Sequence, residues 1–195
     1  MRIIAGAARG RTLAAPSHGT RPTSDRVRES MFSTLQSMLT AEDRAWSDLD
    51  VIDGYAGSGA LGLEALSRGA RSVILVEKRA QAADVIRRNV DRVGLPGARV
   101  VVSAMRTLAR RAPDGRPAGL VLLDPPYEVA SGSIAAELRE LAAADWIAPG
   151  AIIMVERPAG EAASPLPWGG EQRVYGDTAL CYGRCAVDRE ERGDA

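Results

Sequence analysis

The 195-residue chain is expected to fold as a doubly wound α/β domain, a mostly parallel seven-stranded sheet preceded by a small N-terminal hairpin and helix arm. Three features predict this. Five short apolar runs alternate with helical stretches over residues 49–156, the pattern of a parallel sheet covered on both faces. Past residue 170 the alternation gives way to two runs flanking Gly176-Asp177, a hairpin at one sheet edge. A chain of 195 residues also suffices for one domain core, burying roughly 70% of its unfolded surface without disulfide or metal staples.

Taken in order, residues 2–14 read as a short hairpin, with Ile3-Ile4 and Thr12-Leu13 flanking a Gly-Ala-Ala-Arg-Gly turn region. Pro16 to Pro22 is a linker rich in turn formers. From Ser24, the residues Val27, Met31, Phe32, Leu35, Met38 and Leu39 follow helical spacing, with Asp25 in the first turn and Arg26 and Arg28 expected on the face away from the domain. The strand candidates are 49–53, 72–77, 98–102, 119–124, 150–156, 172–175 and 179–187; the helix candidates are 58–68, 80–93, 105–111 and 133–143. The expected organisation is an arginine-rich arm over 1–45, a main domain over 46–187 and a polar tail over 188–195.

Composition excludes several classes. With 46% apolar and 26% charged residues the chain reads as globular, and no apolar run approaches the ~20 residues needed to span a bilayer. Two cysteines and no signal peptide at the start predict a cytoplasmic protein. The net charge is zero, but its distribution is uneven. Arg2, Arg9, Arg11, Arg21, Arg26 and Arg28 face only Asp25 and Glu29 in residues 1–30, and residues 99–117 carry five arginines against Asp114. Two such segments could form a phosphate-binding face or simply a solvated surface.

Three motifs fall at the carboxyl ends of strands, where doubly wound sheets bind ligands. The first runs from Asp53 through Tyr55, Gly57, Ser58 and Gly59 to Gly62, opening the first helix of the sheet. Its glycines permit a tight turn and close approach of the backbone to a ligand. The second is Glu77, about 20 residues on, a carboxylate able to accept both hydroxyls of a ribose. These two features suit NAD and S-adenosylmethionine equally, since both carry adenosine. The third is Asp124-Pro125-Pro126-Tyr127. Consecutive prolines restrict the backbone, leaving the Asp124 carboxylate and the Pro125 carbonyl to accept two N–H bonds from an amino group on a planar ring beside Tyr127. A dehydrogenase leaves this motif without a role.

These residues resemble class I S-adenosylmethionine-dependent methyltransferases acting on exocyclic amines of nucleobases. The opening Met1-Arg2-Ile3-Ile4-Ala5-Gly6, the stretch from Arg21 to Phe32, the AGSGALGLEALSRGA run at 56–70 and the DPPY together are similar to the RsmD family. The resemblance spans residues 1 to about 187 and implies a Rossmann-like fold and methylation of the N2 amine of a guanine in 16S ribosomal RNA. It further implies that Thr23, Asp25 and Arg26 help line the cofactor pocket. Many relatives have Asp or Asn after the third strand, near the adenine; Ser103 stands there in this chain.

On this reading Asp124, with the ordinary carboxylate value near ~4, is expected to be an ionised acceptor that directs the amine lone pair, and Tyr127 holds a base rotated from its stack. With the sheet consuming residues 47–187, recognition falls to the arm, through Arg2, Arg9, Arg11 and Arg21, and to the 99–117 segment. That suits a structured RNA, within a small ribosomal subunit or an assembly intermediate, better than naked DNA. A monomer is expected. Alternatives are a methyltransferase for adenine N6 or cytosine N4 in DNA or another RNA, and a non-catalytic ribosome-assembly factor. His18 stands alone, so metal or triad chemistry is not expected. Cys181 and Cys185, on one face of a strand, are expected to pack, Trp46 and Trp146 to cover core edges, and Glu156-Arg157-Pro158 to end the fifth strand beside the site.

Overall fold

The computed structural model of the chain describes residues 1–16 and 24–186. His18, Arg21, Thr23 and the polar tail therefore lie outside the described residues. Seven strands form one sheet: β1 (Asp50–Gly54), β2 (Ser72–Glu77), β3 (Ala98–Val102), β4 (Ala118–Leu123), β5 (Ile147–Pro158), β6 (Glu171–Tyr175) and β7 (Thr178–Arg184). Their order is β3-β2-β1-β4-β5-β7-β6. The first five strands run parallel, whereas β7 inserts antiparallel between β5 and β6.

Strands β2 and β3 and the helix α3 (Ala80–Val93) occupy the spans that periodicity predicts. The other helices are α1 (Asp25–Ala41), α2 (Ala60–Ser67), α4 (Met105–Leu108) and α5 (Ser131–Ala143). Three elements depart from expectation, one being β7, which ends at Arg184 and leaves Cys185 just past the strand. The helix α4 is a single turn rather than seven residues, because the chain turns after Leu108 toward Pro113-Asp114-Gly115 and the Arg111 carbonyl leaves the helix to accept the Trp146 indole N–H at 2.8 Å. Strand β5 is longer than expected. Its first residue already pairs with Ala118, and a register shift between Ala118 and Leu120 absorbs Pro149 and Gly150.

Alternation along each central strand divides the core. Val51, Leu120, Leu122, Ile152 and Met154 face the layer of α1, α2 and α3, with Met31, Phe32, Leu35, Leu63 and Ile86. Ile52, Val121, Leu123, Ile153 and Val155 face the opposite layer with Ile134, Leu138 and Trp146, where Cys181 and Cys185 also pack as free thiols. Both faces of β1, β4 and β5 are thus buried, which accounts for their continuous apolar runs.

The N-terminal segment belongs to the same core. Arg2 and Thr12 form an antiparallel bridge, and Ile3, Ala8 and Leu13 are buried with α1 and α2. Ser24 caps helix α1, its hydroxyl accepting the Val27 N–H at 3.2 Å. Arg28 corrects one expectation: it turns inward and is 1% exposed, while Arg26 is exposed. The inward turn follows from its partners, since its guanidinium donates to the Arg2 carbonyl at 2.8 Å and to Asp25 at 2.7 Å.

Candidate active site

The ends of β1, β2 and β4 place three carboxylates together. Asp53, in β1, is 1% exposed and accepts the Gly62 N–H at 2.8 Å, tying the strand end to the first turn of the helix it feeds. Burial raises its titration well above the ordinary range; the Gly62 bond opposes this, and the charges of Asp124 and Glu77 add to it.

Between them runs the loop 55–59. Tyr55 has φ +58°, a left-handed conformation unusual for a residue with a side chain, and its hydroxyl donates to Glu137 of α5 at 2.5 Å. Burial and the Glu137 carboxylate both push the Tyr55 phenol upward. Gly59 precedes α2 with φ +78°, and a Cβ there would stand 3.0 Å from Leu75 and 3.1 Å from Ile86, so both conformation and packing require glycine. A Cβ on Gly57 would meet only the Tyr55 carbonyl, at 3.8 Å, leaving that stretch of backbone open to a ligand.

Glu77 is 5% exposed at the end of β2. One oxygen accepts the Gly57 N–H at 3.1 Å and the other the Arg79 N–H at 2.9 Å, so this carboxylate joins the loop to the start of α3. Ser103, after β3, lies alongside: its N–H donates to the Glu77 carbonyl at 3.1 Å and its hydroxyl to the Ala104 carbonyl at 3.0 Å.

Asp124 follows β4 directly and heads the DPPY loop, with Pro125 buried and Tyr127 52% exposed. Its carboxyl is pushed up to about 8, first by burial and then by the Glu156 charge, against the lowering effect of Arg157. This corrects the expectation of an ionised acceptor in the free protein. Desolvation leads this shift, and the pairing of β4 with β5 brings the Glu156 charge to it from a distant stretch of chain.

Other candidate residues are drawn into structure. Asp25 pairs with Arg28 and lies 3.7 Å from Arg2. Arg11 donates to the Arg92 carbonyl at 3.0 Å and to the Val93 carbonyl, covering the last carbonyls of α3. In the second basic segment Arg99 pairs with Asp114. Arg2 and Arg9 remain exposed. Sequence reasoning missed Asn89. This fully buried residue of α3 donates to the Ser58 carbonyl at 2.8 Å and exchanges two bonds with Ala14, fixing the glycine loop and the arm to one helix. A polar residue on the apolar face of α3 was the only signal available.

A seven-stranded sheet of this order, with a glycine loop after β1 and DPPY after β4, defines a Rossmann-like methyltransferase fold. The family model described as Conserved hypothetical protein 95 matches residues 1–183. Ribosomal RNA small subunit methyltransferase D of Escherichia coli K12 is 38% identical over 100% of this chain and 93% of its own length. The protein of the same name from Haemophilus influenzae is 35% identical over 80% of this chain and 78% of its own. A solved protein from Thermus thermophilus matches with TM-score 0.76 and 34% identity, covering 96% of this chain and 99% of that one. An RNA methyltransferase from Salinibacter ruber, solved with S-adenosyl-L-homocysteine, shares the fold at TM-score 0.62 and 16% identity, over 90% of this chain and 100% of that one. The chain belongs to the ribosomal RNA small subunit methyltransferase D family.

Proposed function

We propose that this protein, acting as a cytoplasmic monomer, transfers a methyl group from S-adenosylmethionine to the N2 amine of a guanine in 16S ribosomal RNA, within a small subunit or an assembly intermediate. The observation that carries this reading is the meeting of Asp124, Asp53 and Glu77 around an open stretch of glycine loop, with Tyr127 half exposed beside them. Residues 46–187 supply the chemistry and residues 1–45 the arm that meets RNA.

The open backbone at Gly57 and the carboxylate at the end of β2 suit an adenosine-bearing ligand. Glu77 would take the ribose hydroxyls, Asp53 would hold the loop that supports them, and Thr23, Asp25, Arg26 and Ser103 would stand around the pocket. When bound, S-adenosylmethionine supplies an electrophilic methyl on a positively charged sulfur. The guanine amine is a poor nucleophile, its lone pair being delocalised into the ring. Asp124 and the Pro125 carbonyl would accept its two N–H groups, turn the lone pair toward the methyl and stabilise positive charge developing on nitrogen. Tyr127 would stack on the extruded base.

Small subunits lacking the modification, incubated with tritiated methyl donor, should take up label at a guanine, and nucleoside mass spectrometry should return N2-methylguanosine. Methylated adenine or cytosine would replace the proposed target. Glu77→Ala should weaken cofactor binding at least about tenfold by calorimetry, since a charged hydrogen-bond acceptor and the brace on Gly57 are lost together. Arg9→Ala should lower RNA affinity and reduce the slope of log K against log salt by about 1. An unchanged slope would remove Arg9 from the RNA-binding surface.

A further inference from the structure

The residues that end β5 engage the DPPY loop from both sides. Arg157 is 2% exposed, on the strand neighbouring β4. Its Nε donates to Glu161 Oε2 at 2.7 Å, and its terminal nitrogen lies 3.5 Å from the Pro126 carbonyl, a long contact to the start of the loop. The other oxygen of Glu161 accepts the Ser131 hydroxyl at 2.6 Å. Ser131, 2% exposed, opens α5 immediately after the loop. One ion pair therefore spans residues 126 to 131, the segment carrying Tyr127. The Pro126 carbonyl also accepts the Val129 N–H at 3.0 Å, so Arg157 touches the oxygen on which the loop turns.

Burying a guanidinium and joining it to an acid on the following loop takes chain that a simple strand end would not need. Glu161 is held below its ordinary titration, first by the Arg157 hydrogen bond and also by Ser131. On the other side, Arg157 acts on Asp124 against Glu156, with Asp53 as the further acid facing it from β1. The pair borders a cavity of about 180 Å³ that Leu166 and Cys181 also line.

We propose that Arg157 is a positioning residue for methyl transfer: through Glu161 and Ser131 it holds the DPPY loop in register with the target amine. This rests on the methyltransferase reading of that loop.

The test compares Arg157→Gln, Arg157→Lys and Ser131→Ala in the full chain. Amide hydrogen exchange at residues 127–131 should accelerate at least about tenfold in Arg157→Gln, with the central strands unchanged. The maximal rate of transfer should fall on the order of 10²-fold, as expected for a displaced reacting group, while KM for RNA changes little. Its pH midpoint should move upward, and Arg157→Lys should return the midpoint without restoring the full rate, since an ammonium lacks the guanidinium fork. Ser131→Ala, which leaves Arg157 and Glu161 in place, should show the same exchange effect at smaller size and a rate loss of about 3–10-fold. Unchanged exchange at 127–131 in folded Arg157→Gln protein overturns the proposal whatever the activity. If that variant does not fold, unchanged exchange and rate in Ser131→Ala overturn it. A wild-type protein that binds the cofactor yet methylates no RNA overturns the functional reading instead, and the exchange measurement still decides the role of Arg157.

Discussion

Replacing Asp124 by Asn should lower methyl transfer on the order of 10²–10³-fold while leaving adenosylhomocysteine binding intact. The amide keeps the size of the side chain and one acceptor but cannot carry the negative charge that stabilises a nitrogen becoming cationic. Turnover within a few-fold of wild type would exclude the carboxylate from the chemistry. The same substitution should raise thermal stability in a pH-dependent way. The folded-state value of about 8 lies above the ordinary carboxylate value near ~4, so the folded protein holds a proton that the unfolded chain releases. That contribution is complete below about pH 4 and is lost as pH rises through about 8. Above pH 8 the wild type carries a partly buried charge facing Glu156 and Asp53, which the Asn variant lacks. Scanning calorimetry should accordingly find the variant more stable at pH 9 and nearly equal to wild type at pH 4. A cation beside Asp124 favours its ionised form, so the affinity for S-adenosylmethionine should rise from pH 7 to 9 relative to adenosylhomocysteine, whose sulfur is neutral. Each ligand's own α-amino titration is the same against either protein, so the quantity compared is wild type against Asp124→Asn, and the extra rise should be absent from the variant.

The second large effect concerns the anchor of the arm. Glu64 of α2 is fully buried; its oxygens accept the Ile4 N–H at 2.7 Å, the Ala5 N–H at 3.0 Å and Arg68 Nε at 2.8 Å. One turn later Ser67 accepts the Ala8 N–H and donates to the Ala5 carbonyl at 2.6 Å. Between these bonds the backbone at Gly6, with φ +82°, comes so near that a Cβ would lie 1.8 Å from the Ser67 carbonyl oxygen. Glu64→Ala strands two backbone donors and a largely buried arginine, and should cost about 3–5 kcal/mol. For a chain of this size that corresponds to a fall in Tm of roughly 6–20 °C. Proteolysis should then cut the N-terminal segment before the sheet is attacked. A Tm within about 2 °C of wild type would mean that the arm is held by its apolar contacts alone.

The legible part of the protein is the part that depends on neighbours in sequence. The spans of β2, β3 and α3, the glycine loop ahead of α2 and the DPPY after β4 could all be placed because strand and helix periods and turn chemistry act within about a dozen residues. The family likeness was legible for the same reason, since its motifs are contiguous. The short α4 and the long β5 were not, because each boundary depends on a partner elsewhere: the Trp146 indole in one case, the Ala118 pairing in the other. The burial of Arg28, the capping of α3 by Arg11 and the bracing of the site by Asn89 are of the same kind.

From the residues alone came the sheet, the ligand-binding end of it and the chemical types gathered there. Tertiary structure decided which arginines face solvent and which serve as internal donors, and how the acids at that end titrate. Charge and hydrogen bonding act through space over a few ångströms, and residues such as Arg11 and Arg92, or Asp53 and Asp124, reach that distance only after the chain has folded.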